Sequence, residues 1–571
     1  MRSERLVTDI LIVGGGMGGV AAALAAARLG RKVVLTEQTS WLGGQMTSQG
    51  VPPDEHKWIE STGCTQSYRE FRNRIRSYYR DHYPMRAGSR AEPFLNPGQG
   101  FVSPLCCEPR VALSALLDML APYRASGLVE VRYRTTPVSA QSEGNRVRSV
   151  ELSDGDGNRI VVDAGYVLDA TELGDLLPLA GVEHVIGSES RSETGEPNAI
   201  DGPAQPLDQQ SITWCFAVDW VEGGNHTIEK PEDYAFWRDY QAEFWAGPQL
   251  SFLVSEAITH KKMTRPLFTA PREAAVAHDL WRHRRLLYAQ HFEAGAFPSD
   301  IVLLNCAALD YWLKPIVGVS EQERRDAMRG AMQLSYSFLY WLQTEAPRHD
   351  GGRGHPELRL RKDVFETAHG LAKYPYVRES RRIKAEFTIL EQHVGAAARE
   401  GRTGAEVFHD SVGIGAYRLD LHPSTAPRNY IDLDSWPVQI PLGALLPVRV
   451  ENLLPACKNI GATHITNGIY RVHPIEWNVG EAAGALAAFC LDKGVAPRAV
   501  RERAELLQEF QSLLKETLHI PLTWPVPERI TRAMRYGSPS ALHGGSWIED
   551  DGVGGLRATG TPRPANTIQP G

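Results

Sequence analysis

The sequence predicts an α/β fold in which a Rossmann-like nucleotide-binding domain is interrupted by an inserted α+β substrate domain. An apolar run at residues 8–13 enters a glycine-rich segment at 14–19, and an Ala-rich helix and a second apolar run at 32–36 follow. Further strand-like runs at 166–170 and 452–455 indicate that the sheet collects strands from distant parts of the chain. The expected boundaries are 1–184 and 436–525 for the nucleotide-binding domain, 185–435 for the substrate domain and 526–571 for a disordered tail.

The composition is that of an ordinary globular protein and excludes several classes. The 571 residues are 42% hydrophobic and 23% charged, so the chain can bury a large core without disulfides. A formal net charge of −7 argues against a dedicated nucleic-acid binder. The seven cysteines lack the spacing of a zinc or iron–sulfur site, so no metal is expected. With no apolar run of membrane-spanning length and no signal-like segment, we expect a cytoplasmic protein that binds neither nucleic acid nor membrane.

The glycine-rich segment has the spacing of a phosphate-binding turn. Gly14, Gly16 and Gly19 fill a G-x-G-x-x-G pattern that also includes Gly18. The first glycine allows a tight turn, the second lets the backbone approach a pyrophosphate, and the third lets helix and strand pack closely. Glu37 follows the second strand at the distance where a carboxylate accepts hydrogen bonds from ribose hydroxyls. We therefore predict a dinucleotide site, the alternative being a turn that binds nothing.

Three further segments favour FAD over NAD as the dinucleotide. Gly43, Gly44 and Gln45 follow the second strand, and a loop of two glycines can pass beneath a flat ring because it lacks Cβ atoms. The strand at 166–170 runs into a segment that resembles the A-T-G-type segment of two-dinucleotide-fold flavoproteins. A small-residue helix expected at 479–489 would leave its first N–H groups open to the flavin, the alternative being a packed core helix. The cofactor-binding residues predicted in the last two segments are Thr171, Gly174, Asp175, Gly480, Glu481, Ala482 and Ala483.

Together these segments resemble a family of FAD-dependent oxidoreductases. The resemblance rests on W-L-G-G-Q-x-T-S at 41–48, Y-x-R-E-x-R-R at 376–382 and D-S-x-G-I-G-x-Y-x-x-D-x-H-P at 410–423. It extends, with gaps, from about residue 8 to about residue 490. The sequence is similar at greater distance to the flavin subunits of heterodisulfide reductases and fumarate reductases. The resemblance implies an FAD cofactor and a redox reaction but leaves the substrate open.

Histidines and arginines in these segments are the catalytic candidates. A base that titrates near neutral pH is most often histidine, and His473 is the first candidate because it precedes the helix expected to face the ring. His422 and His464 are the alternatives. Arg471 and Arg378 are candidates for holding a carboxylate or stabilising reduced flavin, although neighbouring glutamates would serve equally well as their partners.

The predicted function is that of a dehydrogenase or oxidase that transfers a hydride from a small hydroxyl- or amine-bearing substrate to flavin N5. One alternative is an FAD-dependent monooxygenase, which requires a reductant and O2. Another is a flavin electron-transfer subunit with no substrate of its own. Cys64 and the pair Cys106 and Cys107 raise a thiol-redox role as a further alternative. The electron acceptor stays open.

Overall fold

A mixed seven-stranded sheet is the centre of the structure, a computed structural model that describes residues 3–276, 278–402, 404–524, 547–550 and 556–559. Its first six strands are β1 (Ser3–Val13), β2 (Val33–Glu37), β3 (Val129–Tyr133), β4 (Thr136–Glu143), β5 (Arg146–Ser153) and β6 (Arg159–Asp169). The parallel order is β3-β2-β1-β6, and β5 and β4 continue it antiparallel. Leu453–Pro455 joins the carboxyl end of β6 in parallel. The sheet thus takes strands from distant parts of the chain, and the predicted α/β class is confirmed.

Both faces of the central strand are buried by helices and loops. The helices in chain order are α1 (Met17–Arg28), α2 (Gln66–His82), α3 (Ala87–Ala91), α4 (Pro109–Ala125), α5 (Leu176–Leu179), α6 (Arg191–Thr194), α7 (Tyr234–Asp239), α8 (Leu280–His283), α9 (Glu321–Thr344), α10 (Lys362–Phe365), α11 (Glu391–Val394), α12 (His464–Tyr470), α13 (His473–Lys493), α14 (Pro497–Glu502) and α15 (Ala504–Ser512). In β1, Ile10 and Ile12 lie in the hydrophobic cluster that contains α1. Leu11 and Val13 point to the opposite cluster, which contains α5. Alternate residues therefore serve two cores, which explains the continuous apolar run.

Helices α1 and α13 pack closely together because two glycines of α13 lie against the backbone of α1. A Cβ atom added at Gly480 would lie 2.0 Å from the carbonyl oxygen of Gly18, and one at Gly484 would lie 2.3 Å from that of Ala22. Only glycine fits at either position, so these residues let α13 cover the glycine-rich turn directly.

The insertion between β6 and the C-terminal strands is a mixture of short strands and helices. The remaining strands are β7 (His184–Val185), β8 (Ile212–Thr213), β9 (Phe216–Trp220), β10 (Leu253–Ser255), β11 (Lys262–Thr264), β12 (Arg285–Leu287), β13 (Ile301–Leu304), β14 (Asp310–Tyr311), β15 (Leu358–Leu360), β16 (Arg382–Ile383), β17 (Ser411–Gly415), β18 (Leu419–Leu421), β19 (Ile431–Leu433), β20 (Val438–Pro441), β21 (Leu453–Pro455), β22 (Trp547–Asp550) and β23 (Leu556–Thr559). A four-stranded antiparallel sheet, β12-β13-β9-β15, is its largest sheet. The 24-residue helix α9 begins with a capping box formed by Ser320 and Glu323.

Two expectations about elements differ from the structure. The strand expected at 166–170 is the last part of a longer strand, β6, which ends at Asp169 and pairs with β1 along nearly its whole length. The small-residue helix begins at His473 rather than at residue 479. The domain boundaries stay a prediction. The hairpin of β22 and β23 lies within 526–571, and the rest of that predicted tail lies outside the described residues.

Candidate active site

A cavity of about 950 Å³ opens at the carboxyl ends of β1 and β6, where the glycine-rich turn lies. Gly14, Gly15 and Gly16 line it. Gly14 has a φ of +104°, and a Cβ atom there would lie 2.2 Å from the carbonyl oxygen of Ala170. The turn therefore requires glycine for both conformation and space. This cavity, which we name the first cavity, has the position of a dinucleotide site in this class of fold.

Gly18 and Gly19 serve packing rather than the lining of this cavity. A Cβ atom on Gly19 would lie 2.0 Å from the carbonyl oxygen of Gly14, as expected for the close approach of helix and strand. One on Gly18 would lie 1.9 Å from the carbonyl oxygen of Ala456. The N–H of Gly18 donates to Oε1 of Glu476 at 3.4 Å.

Glu37 ends β2 and lines the first cavity. Its Oε2 accepts a hydrogen bond from the N–H of Gly15 at 3.1 Å, and its Oε1 accepts one from Thr39 at 2.7 Å. Burial raises the pKa of Glu37 to about 7. Two backbone N–H groups hold this carboxyl beside the turn, where it is suited to bind the ribose hydroxyls of a dinucleotide.

The loop with two glycines packs directly on the glycine-rich turn. The N–H of Gly43 donates to the carbonyl oxygen of Gly15 at 2.7 Å. A Cβ atom on Gly44 would lie 3.0 Å from Cα of Gly16. Gln45 follows, and its Nε2 donates to Oε2 of Glu476 at 2.5 Å. The loop at 43–45 and the glycine-rich turn thus lie in direct contact, and a flat ring could pass along both.

The segment after β6 forms the opposite wall of the first cavity. Thr171 Oγ1 donates to Asp169 at 2.7 Å and accepts from the N–H of Asp175 at 2.7 Å. Gly174 has a φ of +64°, and a Cβ atom there would lie 3.0 Å from Cβ of Arg381. Arg381 pairs with Asp175 at 3.2 Å and lines the cavity. The structure thus places the half-buried Arg381 beside the predicted segment.

The predicted role of residues 480–483 is corrected by the start of α13. Because that helix begins at His473, Gly480, Glu481, Ala482 and Ala483 lie within it, and their N–H groups belong to its internal hydrogen bonds. Glu481 instead accepts a hydrogen bond from the hydroxyl of Ser67. These residues therefore do not offer open donors to a ring.

A second cavity of about 470 Å³ lies in the insertion, and two segments connect it to the first cavity. Gly44 and Ser48 line the first cavity and Asp54 lines the second. Likewise, Tyr374 lines the first, and the hydroxyl of Tyr376 donates to Asp54 at 3.2 Å. Both segments therefore run from one cavity to the other.

Side chains along these segments carry buried polar atoms that have no hydrogen-bond partner in the described part of the chain. Gln49 is fully buried, and both its amide oxygen and its amide nitrogen are unpartnered. On or next to the same segments, Gln45 Oε1 and Arg378 Nε are also unpartnered. Buried polar groups are nearly always paired, so a polar ligand fits beside these residues. Gln45 and Gln49 directly follow the loop of Gly43 and Gly44, so they are the residues that would meet the polar edge of an FAD ring held there.

The three histidine candidates have different surroundings. His473 is fully buried; its Nδ1 accepts from the N–H of Asp54 at 3.1 Å, and its Nε2 lies 3.2 Å from the carbonyl oxygen of Val51. Burial lowers the pKa of His473 to about 4. His464 is also buried, with Nδ1 2.9 Å from Glu379. Both therefore have the contacts of structural histidines.

His422 has one engaged nitrogen and lines the second cavity. Its Nδ1 lies 2.6 Å from Oδ2 of Asp310, and its Nε2 is 3.9 Å from Oδ2 of Asp420. Asp310 is also paired with Arg378 Nη2 at 3.1 Å. Burial acts to raise the pKa of Asp310, but Arg378 and His422 lower it below its ordinary value. The result is a buried carboxylate that orients a cavity-facing histidine.

Arg471 is buried and bonds to residues on or next to the lining of the second cavity. Its Nη2 pairs with Asp420 at 3.0 Å, and its Nη1 donates to the hydroxyl of Tyr376 at 3.3 Å. Arg378 and Arg471 thus each pair with a carboxylate that lies beside His422, and their predicted catalytic roles stay a prediction. Sequence reasoning missed Asp310, Asp54 and Arg284, and the run of basic residues at 282–285 was the one available signal for the last.

The thiol alternative finds no support in the cysteines. All seven are free, and Cys64 is the most exposed of them, being half-buried. Burial raises the pKa of Cys64 to about 11 and that of Cys106 to about 12. Neither thiol is therefore ionised at neutral pH, whereas a redox role would require a thiolate.

Two kinds of feature are absent from the described residues. Among them no helix combines the length and apolar character needed to cross a membrane. Nor does that part of the chain bring three or more His, Cys, Asp or Glu side chains together in a group that could hold a metal ion.

Comparison with known proteins identifies the family. A 57-residue stretch is 42% identical to the FAD-dependent monooxygenase atnJ of Arthrinium sp and spans 10% of this chain and 14% of that protein. A geranylgeranyl bacteriochlorophyll reductase-like protein of Thermoplasma acidophilum is 11% identical, covering 94% of this chain and 90% of that chain, with a TM-score of 0.30. The flavin-dependent monooxygenase PieE, solved with FAD and substrate, is 14% identical over 37% of this chain and 35% of that chain, with a TM-score of 0.21. The family model described as FAD dependent oxidoreductase matches residues 9–514. Since that match spans most of the chain, the protein belongs to the FAD dependent oxidoreductase family and is an FAD-dependent enzyme.

Proposed function

We propose that the protein is a dehydrogenase or oxidase that removes a hydride from a small hydroxyl- or amine-bearing substrate in the second cavity. The observation that carries the proposal is the buried Asp310 beside Nδ1 of His422, at 2.6 Å, with the histidine lining the cavity. A histidine oriented in this way is suited to general-base catalysis.

FAD, when bound, supplies the hydride acceptor. The glycine-rich turn at Gly14–Gly16 would hold its pyrophosphate and Glu37 its ribose. The walls formed by Gly43 and Gly44, with the unpartnered amide of Gln49, would hold its ring. These assignments rest on the linings and buried atoms described above.

His422 would accept the proton at Nε2 when the substrate hydroxyl or amine is oxidised. Asp310 then stabilises the positive charge on the imidazole, and Arg378 keeps Asp310 ionised and in place. Arg471 positions Asp420 beside the same histidine. His473 positions the backbone of residues 51–54 through its two backbone contacts.

The test is a substrate screen on FAD-loaded protein under anaerobic conditions. Reduction of the flavin is measured as the loss of its absorbance near ~450 nm. His422→Asn should retain FAD and lower the rate of bleaching by about 10²–10⁴-fold. His349→Asn, at an exposed position, is the matched control and should bleach at the parent rate. Parent-like bleaching by His422→Asn would remove the proposed base.

An FAD-dependent monooxygenase is the second candidate, favoured by the 57-residue match to atnJ. It predicts that NADH or NADPH is consumed with O2 and that oxygen is incorporated into the substrate. Anaerobic bleaching by an organic substrate without a nicotinamide reductant would favour the dehydrogenase instead.

A further inference from the structure

The second cavity has the size of a small-molecule site and a mixed lining. Apolar and aromatic side chains, among them Val254, Met263, Cys306 and Tyr430, form part of the wall. Ionisable side chains form the rest. The balance between hydrogen-bond donors and acceptors in this lining indicates what the cavity can bind.

Several hydrogen-bond donors in the lining of the second cavity are buried and have no partner in the described part of the chain. Arg284 has its Nε and Nη1 atoms buried without a hydrogen bond in the described part of the chain, and Nη1 reaches Asp54 only at 3.9 Å. Arg265 Nε and Asn305 Nδ2 are buried and unpartnered in the same way. Burial lowers the pKa of Arg265, as expected for a guanidinium without a close carboxylate. Guanidinium N–H groups left in this state carry a large desolvation cost that a bound acceptor would remove.

The four carboxylates of the lining are already engaged by other groups. Glu256 accepts from the backbone N–H of Thr259 at 2.7 Å. Asp54 accepts from the hydroxyl of Tyr376, and Asp420 pairs with Arg471. Asp432 pairs with Arg418. These acids therefore leave the donors of Arg284 and Arg265 available to a ligand, while their charge limits how much negative charge the ligand can bring.

Arg284 and His422 both line the second cavity, and a series of contacts links them. Asp54 lies beside Arg284 and accepts from Tyr376, which in turn accepts from Arg471. Arg471 pairs with Asp420, whose Oδ2 is 3.9 Å from Nε2 of His422. Because both residues line the same cavity, a small molecule that fills it would lie beside Arg284 and His422.

We propose that the second cavity binds the carboxylate group of the substrate through Arg284 and Arg265. The substrate is then a small organic acid that carries its oxidisable hydroxyl or amine toward His422. A monoanionic carboxylate fits better than a phosphate because Asp54 and Asp420, which line the cavity, repel a dianion more strongly than a monoanion. The inference rests on the proposed function, since it names the substrate class of the same site.

The test measures binding without turnover. FAD-loaded protein at pH 7 is titrated by calorimetry with propionate, with its neutral isostere propionamide and with inorganic phosphate. We expect propionate to bind at least about 10-fold more tightly than propionamide, because charge-assisted hydrogen bonds are lost with the amide. We expect phosphate to bind more weakly than propionate. Equal affinities for propionate and propionamide, or a preference for phosphate, would overturn the carboxylate assignment.

Variants locate the binding site in the cavity. Arg284→Gln should weaken propionate binding by about 10–100-fold while leaving propionamide binding unchanged. Arg238→Gln, at an exposed residue of α7 that lines neither cavity, is the matched control and should bind propionate as the parent does. If Arg284→Gln fails to retain FAD, Arg265→Gln gives the same comparison at the second arginine of the cavity. Unchanged propionate affinity in the folded arginine variants would exclude this site.

Failure of this inference and failure of the proposed function give different results. His422→Asn should bind propionate like the parent, because the carboxylate contacts are at the arginines. If propionate binds through Arg284 but His422→Asn still bleaches the flavin normally with an organic acid, the base is wrong and the carboxylate site stands. If His422 is required but propionate does not bind, the substrate class is wrong and the base stands.

Discussion

The Nδ1 atom of His422 lies 2.6 Å from Oδ2 of Asp310, a fully buried carboxylate held from its other side by Arg378. These three residues come from three distant segments of the chain, and they meet at the wall of the second cavity. The contact leaves Nε2 as the histidine atom available to a ligand. It distinguishes His422 from His473 and His464, whose side chains are buried among protein groups.

Asp310→Asn should lower the rate of flavin bleaching by about 10²–10⁴-fold, because the amide neither fixes the histidine tautomer nor stabilises its charge. The measurement is anaerobic stopped-flow bleaching with the substrate found in the screen. FAD content and the unfolding midpoint serve as controls, since Arg378 also loses its partner. A variant that retains FAD and bleaches at the parent rate would contradict the role of Asp310.

His473→Gln should reduce stability by about 1–3 kcal/mol, because it removes the acceptor of the Asp54 N–H. Burial lowers the pKa of His473 to about 4, so the group stays neutral at the pH where a base must titrate. We therefore expect the pH dependence of kcat/KM to keep its midpoint. A shifted or abolished midpoint in a folded, FAD-loaded variant would return His473 to the catalytic role that the sequence first favoured.

Gly14→Ala should abolish FAD binding, because the new Cβ atom would lie 2.2 Å from the carbonyl oxygen of Ala170. Gly30→Ala is the matched control: Gly30 has a φ of +77°, but a Cβ atom there meets nothing within 4 Å. The control should carry only the cost of backbone strain, about 1 kcal/mol, and retain FAD. Equal FAD affinity in the two variants, measured by fluorescence quenching, would show that crowding at the turn has no effect.

Glu481→Gln should make stability less dependent on pH. Burial raises the pKa of Glu481 from 4.5 to about 7, so the folded state holds a proton that the unfolded state has released. The stabilisation from this group is complete below pH 4.5 and is lost as pH rises through about 7. Between pH 5 and 8, denaturant unfolding of the variant should show a smaller loss than the parent, by on the order of 2 kcal/mol. Parallel curves for the two proteins would contradict a protonated Glu481.

Cys106→Ser and Cys107→Ser should each retain the parent rate of substrate oxidation. Burial raises the pKa of the Cys106 thiol to about 12, so a thiolate is not present at neutral pH. A thiol reagent should react in the native state fastest with the half-buried Cys64. Loss of turnover in a folded, FAD-loaded serine variant would revive the thiol-redox alternative.

The local motifs were the most predictable part of the molecule. The turn at Gly14, the strand that ends at Glu37 and the loop at Gly43 lie where their spacing placed them, because each depends on neighbours within a few residues. The start of α13 was less predictable. Its Pro474 sits in the first turn, where proline is favoured, but the small residues further along drew the predicted start to residue 479.

The sequence by itself determined the α/β class, the glycine-rich turn and the FAD-dependent character of the protein, because these depend on short-range patterns. Tertiary structure alone decided which histidine both lines the second cavity and has a buried carboxylate beside it, and which arginines keep unpartnered donors. His422 and His473 are both histidines in recognisable segments, yet only the folding of β14 beside β8 brings Asp310 to the first of them. Arg284 differs from its basic neighbours only in where its side chain points once α8 and β12 are packed. Burial and pairing between distant segments set the properties of such groups, and a linear pattern does not record them.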